Sequence, residues 1–436
     1  MSLVAPFADL VQSIGLGMTL PTFQSFVTIV TGWLFAPRRT VTAMLVAAGA
    51  VGSKHHSAFH RLFAAAHWSL DMLGVCLFDL LAPWHEGDVV ELSTDDTLAR
   101  KRGLKVFGAG MHHDSMRSSR QQTVLTWSHS WVVLAVIVRL PFCPNRVFSL
   151  PILFRLYLNH KASEKWRLTY RTRPELAIQL LHLLCNRNPT QRFHLVADSA
   201  YGGQTVLGVL PFNCDITSRM PLKARLCEPP PERRPGTNGR PRKRGARLPS
   251  PEQMLGQRGR RVSLNLYGRH DPVRLVEAEA RWHNVPGRPL KVVAVEPLRG
   301  GRPVQAFYTT RQECTAEQVL IRYAHRWSIE EAFQGSKTHL GFEQPQGWKR
   351  RAVERTAPIA MLLYSLIIVW FARDGHRVHH LLPPRWYRTK ATPSFADMLA
   401  SLKRQCIEAE VSKHLGKQRL PQNLLNALFS AAHCPP

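Results

Sequence analysis

The sequence predicts an α/β fold in which helices flank a mixed sheet, and three observations carry that reading. β-Branched runs at residues 88–94, 123–140 and 193–198 read as strands, and a helical stretch at 174–186 separates the last two. Residues 262–309 hold four short strands divided by turn residues, which read as a β-rich insertion. The insertion leads into a long polar stretch, residues 315–340, with no Pro and little Gly, which reads as one helix capped by Thr315.

Taken in order, residues 1–85 are helical. A helix over 40–50, a break at Val51-Gly52 and a second helix from Ser53 to Ala66 carry Lys54, His55, His56, His60 and Arg61. This pattern fits a helix-turn-helix and equally fits two packed helices of a small bundle. The strand at 88–94 ends in Asp95-Asp96-Thr97, and 105–110 reads as another strand. Pro141 closes the long central strand, Pro174 opens the helix at 174–186, and Ser199-Ala-Tyr-Gly-Gly203 closes the strand at 193–198. Residues 219–261 are rich in Arg, Pro and Gly and too polar to fold alone, so they read as a solvated arm able to order on phosphates. The apolar run 357–372 is short for a membrane span and contains Pro358, Tyr364 and Ser365, so a buried core helix is expected. The expected division is 1–85, helical and DNA-binding; 86–204 and 313–375, the two parts of a core; 205–312, the insertion; and 376–436, a helical tail.

Charge narrows the function. The 436 residues carry 58 Lys and Arg against 30 Asp and Glu, a net charge of +28. That excess suits a nucleic-acid partner. A membrane surface fits less well, because no basic amphipathic helix or lipidation signal stands out. Eight Cys are scattered without a Cys-x-x-Cys pair, as in a protein kept reduced. The N-terminus lacks the basic segment of a signal peptide, so a cytoplasmic, nucleoid-associated protein is expected.

The acidic residues supply the chemistry. One Asp ends the first strand, another ends a later strand, and Glu330 lies on the helix beyond the insertion. Carboxylates so placed can converge on one rim of a mixed sheet, where their oxygens suit Mg²⁺. Two such ions support in-line phosphodiester displacement. On a continuous helix Tyr323, Glu330 and Lys337, seven apart, fall on one stripe with Arg326 beside it. Such a stripe is a poor core face; it is either a solvated charged surface or a surface for phosphates and metal.

Asp95-Asp-Thr97, Ala197-Asp-Ser-Ala-Tyr201 and the spacing Tyr323-x2-Arg326-x3-Glu330-x6-Lys337 together resemble the DDE transposases of bacterial insertion sequences, in the group with a Y-R-E-K signature. The resemblance covers about residues 85–345. It implies a ribonuclease H-like core and two Mg²⁺ ions, with Mn²⁺ able to substitute, held by Asp96, Asp198 and Glu330. Asp96 is chosen over Asp95 because it directly precedes Thr97. The resemblance further implies that Tyr323, Arg326 and Lys337 grip element-end DNA, that double-stranded DNA is both substrate and target, and that a homodimer holds two ends in synapsis. Cleavage would free a 3′-hydroxyl that attacks the target. The alternatives are a nuclease with the same core and no strand transfer, and a non-catalytic DNA-binding relative. Trp282 is a candidate wedge for a flipped base, though a core role is the simpler reading for a Trp on a strand.

Overall fold

The computed structural model describes residues 2–232, 240–266, 269–299, 301–378, 390, 392–415 and 420–432. The expected basic arm and the C-terminal tail fall partly outside them. Twelve strands form one sheet: β1 (Val89–Arg100), β2 (Gly110–His113), β3 (Leu125–Leu140), β4 (Cys143–Tyr157), β5 (Arg192–Ala197), β6 (Cys214–Met220), β7 (Leu226–Cys227), β8 (Arg247–Leu248), β9 (Arg260–Leu266), β10 (Arg269–Trp282), β11 (Val285–Pro297) and β12 (Gln305–Thr309). Their order is β2-β3-β1-β5-β6-β12-β11-β10-β7-β8, with β4 on β3 and β9 on β10. β1 lies antiparallel to β3 and parallel to β5, and β5 is parallel to β6. This is the mixed sheet expected. The insertion strands continue it, since β12 pairs with β6 from Ala306↔Met220 to Thr309↔Thr217.

Three elements differ from the sequence reading. β1 runs on to Arg100, so Asp95 and Asp96 lie inside the strand rather than at its end. Residues 105–109 form turns, with the strand starting at Gly110. The stretch 315–340 is two helices, Ala316–His325 and Trp327–Leu340, joined at Arg326. There the Arg326 N–H bonds to the Tyr323 carbonyl at 3.2 Å and the Ile329 N–H to the Arg326 carbonyl at 3.1 Å. These i,i+3 bonds tighten the joint and shift the helical phase across it. Thr315 and Gln318 cap the first helix reciprocally. Gly341 ends the second at φ 60°, a left-handed conformation that costs Gly little.

The N-terminal helices Ala5–Ile14, Leu20–Phe35, Val41–Ala47, His56–Ala64 and Leu70–Leu80 share one hydrophobic cluster with the sheet and with the helix Arg350–Trp370. Gly74 lies flat on β4; a Cβ there would collide with the Ile152 carbonyl. Trp33 Nε1 donates to the Leu340 carbonyl at 2.8 Å, tying these helices to the end of Trp327–Leu340. The second helix of the expected pair starts at His56 and is capped by His55 instead of Ser53, and Lys54, His55, His56, His60 and Arg61 are exposed. Among the described residues, one helix, residues 350–375, is long and apolar enough to cross a membrane, and 94% of its apolar window is buried inside the protein.

Candidate active site

Side chains along β1 alternate between two faces. Glu91, Ser93 and Asp95 share the face covered by the two helices joined at Arg326. Glu91 forms an ion pair with Arg322 Nε at 3.0 Å and bonds to His325 Nδ1 at 3.0 Å. Ser93 bonds to Ser149 on β4 at 2.8 Å, and Ser149 to Ser328 at 2.6 Å. Asp95 Oδ2 accepts from Arg326 Nη1 at 2.7 Å, and Arg326 Nη2 donates to Glu330 Oε1 at 2.9 Å. One guanidinium therefore joins the strand carboxylate to the helix carboxylate.

Asp198 comes to the same face through the neighbouring strand. The parallel register pairs Glu91 with His194 and Ser93 with Val196. The ladder ends at Thr94↔Ala197, so Asp198, the first residue past β5, emerges beside Asp95 and close enough for its charge to act on the Asp95 carboxyl. The loop after β5 fixes Asp198: its Oδ1 accepts from the Ala200 N–H at 2.8 Å and the Tyr201 N–H at 3.3 Å. Its carbonyl accepts from Ser218 Oγ at 2.9 Å. Gly202 lets the loop press on β6, where a Cβ would strike the Ser218 hydroxyl, and the Gly202 carbonyl accepts from Tyr308 Oη at 2.6 Å.

The electrostatics follow from this crowding. Burial pushes the Asp95 carboxyl up to about 7, and the neighbouring Asp198 and Asp96 add to it against the pull of Arg326. Burial works against the charge on Arg326, but Asp95, Tyr323 and Glu330 outweigh it and hold the guanidinium firmly protonated. Burial likewise opposes the Glu91 charge, yet His325 and Arg322 keep its carboxyl low. The site thus holds one carboxyl raised chiefly by burial and one guanidinium that spans two carboxylates. Among the described residues no three His, Cys, Asp or Glu side chains already converge on one metal-sized point. The cation bridging Asp95 and Glu330 is Arg326 itself. Its charge stands between Asp95 and Glu330, and the oxygens of Asp95, Asp198 and Glu330 are a donor set that could hold a hard divalent cation.

Asp96, the first-strand choice of the sequence reading, points to the opposite face. Its Oδ1 accepts from Tyr201 Oη at 2.7 Å, and its Oδ2 meets Arg173 Nε at 3.2 Å and Ser130 Oγ at 3.4 Å. Strand alternation is the physical reason, since consecutive residues cannot share a face. A signal for this lay in the sequence: apolar Val90 and Leu92 have the parity of Asp96, whereas polar Glu91 and Ser93 have that of Asp95. Glu331 turns away from Glu330 as its 100° rotation requires, and pairs with Arg146 at 2.7 Å.

Of the other signature residues, Tyr323 lies under Arg326, whose guanidinium is 5.9 Å from the centre of its ring. Tyr323 is buried, its ring 4.7 Å from that of Phe307. Lys337, two turns beyond Glu330, is half-buried near Glu343, Asp114 and Arg100, and burial lowers its affinity for a proton. Trp282 is buried against Tyr308. A groove of about 1020 Å³ opens beside the site, and its lining includes Arg146, Arg219, Arg299, Arg302, Tyr323 and Trp327. Trp327 is 50% exposed and was not singled out from sequence.

The model of the DDE superfamily endonuclease family matches residues 19–285, more than half of the chain. The matched segment contains Asp95, Asp96 and Asp198 and ends before Glu330. No curated protein matches the chain. The matched family and the mixed sheet agree on a ribonuclease H-like fold, and the family match supports a nuclease- or transposase-type activity on DNA. The chain belongs to the DDE superfamily endonucleases.

Proposed function

We propose that this protein is a DNA transposase that uses Asp95, Asp198 and Glu330 to hold two Mg²⁺ ions, cuts the ends of its element and joins the freed 3′-hydroxyls to target DNA. One observation carries the reading. Asp198 lies just past the end of the β1–β5 ladder, close enough to act on the Asp95 carboxyl, and Arg326 bonds Asp95 and Glu330 together. The ions, when bound, supply Lewis-acid stabilisation to the attacking and leaving oxygens of the phosphodiester.

The chain's own residues do the rest. The three carboxylates come from β1, the loop after β5 and the helix Trp327–Leu340, so the fold fixes their spacing before DNA arrives. Arg326 turns from the carboxylates to the scissile phosphate, for which its planar fork is suited. The arginines of the groove align the DNA backbone, and Lys337 contacts a phosphate further along the same helix. Trp327, half-exposed at the groove, is better placed than buried Tyr323 to stack on an unpaired base. Two copies in synapsis would hold two ends.

The complete Tyr-x2-Arg-x3-Glu-x6-Lys spacing favours transposition over simple hydrolysis. The test supplies uncut and pre-cut element ends with a target plasmid, in Mg²⁺ and in Mn²⁺. A joined product supports transposition. Cleavage of uncut ends with no joined product under any metal condition makes the protein a nuclease.

A further inference from the structure

The second Asp of Asp95-Asp96-Thr97 remains unexplained by the metal site. So does Tyr201, a phenol that is 1% exposed yet sits only three residues beyond a proposed metal ligand. The two meet: Tyr201 Oη donates to Asp96 Oδ1 at 2.7 Å, behind the sheet face that carries Asp95 and Asp198. We propose that Asp96 and Tyr201 are a pair of positioning residues that lock the Asp198 loop onto β1 and so set the second metal ligand. This rests on the assignment of Asp198 as a ligand and adds the means by which that ligand is held.

The geometry gives the pair leverage. Asp198 has left the β-ladder, since pairing of β5 with β1 ends at Ala197↔Thr94. Its orientation therefore depends on the short loop that follows. Within that loop the Tyr201 N–H already bonds to Asp198 Oδ1, and the same residue's side chain reaches across to Asp96. A hydroxyl bond to one strand is thus linked through one residue to the ligand on the next. Asp96 is itself held from two further elements, by Arg173 in the first turn of the helix Arg173–Arg187 and by Ser130 on β3. The guanidinium of Arg173 stacks over the Tyr157 ring at 4.4 Å and bonds to Ser130 Oγ at 3.1 Å, which fixes its direction. Adjacent residues of one strand thereby take separate tasks: the odd-numbered Asp faces the metal site, and the even-numbered Asp anchors the loop that completes it.

Groups that orient metal ligands typically change metal affinity 10–100-fold when removed. The experiment is a calorimetric titration of Mn²⁺ into the full-length protein, without DNA, for wild type, Tyr201→Phe, Asp96→Ala, Asp96→Asn, the Tyr201→Phe/Asp96→Ala double variant and Asp198→Ala. Thermal melting in chelator checks that each variant is folded. Tyr201→Phe and Asp96→Ala are each expected to weaken Mn²⁺ binding about tenfold. The double variant is expected to be no weaker than the worse single one, because both remove the same bond. Asp96→Asn keeps an oxygen that accepts from Tyr201 and is expected to retain most of the affinity. Wild-type affinity in Tyr201→Phe, or independent multiplying losses in the double variant, overturns the pair while leaving the metal site standing. Equal Mn²⁺ binding by wild type and Asp198→Ala overturns the metal assignment and the pair with it.

Discussion

Replacing Asp95 with Asn is expected to stabilise the metal-free protein and abolish its chemistry, a combination that a merely structural residue would not give. The carboxyl is raised from 3.8 to about 7 by burial and by the adjacent carboxylates. Below pH 3.8 it is protonated in both the folded and unfolded chains, and nothing is lost. Between 3.8 and about 7 the unfolded chain ionises while the folded one does not, so stability falls as pH rises, and above about 7 the deficit is constant. The full deficit is about 4 kcal/mol. The side chain is 18% exposed and Asn weakens the bond to Arg326, so a net gain of about 2 kcal/mol at pH 8 is the working figure. For a chain of this size that is a rise of roughly 2–4 °C in melting temperature. The assay is thermal melting in chelator at pH 5 and pH 8. The gap between the Asp95→Asn variant and wild type should widen at the higher pH. Saturating Mg²⁺ should then stabilise wild type more than the variant. Cleavage should fall by on the order of 10³-fold, as loss of several kcal/mol of metal stabilisation implies. A variant less stable than wild type at pH 8, or one that still cleaves, would refute this reasoning.

Further outcomes concern the cations. Arg326→Gln should bind Mn²⁺ more tightly than wild type in the absence of DNA, because the competing guanidinium is gone, yet cleave DNA more slowly; unchanged Mn²⁺ affinity would mean that Arg326 does not compete for the carboxylates. Lys337→Met should slow end cleavage more than it weakens nonspecific DNA binding, and equal losses in gel-shift and cleavage assays would remove its special position. DNA affinity should drop by about 10³-fold or more between 50 and 200 mM salt if six or more phosphates are contacted, and a flat salt response would contradict a groove built on arginines.

The sheet was legible where burial produced continuous β-branched runs: β3 and β5 lie close to where the sequence put them, as does the helix Arg173–Arg187 with its Thr172 capping box. β4 was missed because Pro144 and Pro151 broke its pattern, although β4 tolerates Pro151 at a register shift opposite Leu134 and Ala135. Asp198 and Glu330 could be singled out because each is an acid in a marked position. Choosing between Asp95 and Asp96 needed the face of the strand, and that information lay in the residues preceding them. The helix break at Arg326 was hidden, since a joint with right-handed helical angles leaves no Gly or Pro behind. There Arg326 stands over the Tyr323 ring at 5.9 Å and bonds to Glu330 at 2.9 Å, so Tyr323 and Glu330 stay linked across the joint. Glu330 and Lys337, seven apart, share one helix.

The most direct test of the metal-carboxylate centre is nicking of a supercoiled plasmid carrying the DNA that flanks the coding region. Wild type with Mg²⁺ should nick it, wild type in chelator should not, and Glu330→Gln, folded by its melting curve, should be inert in both. Nicking that survives the Gln substitution, or that proceeds without divalent ions, would contradict the account.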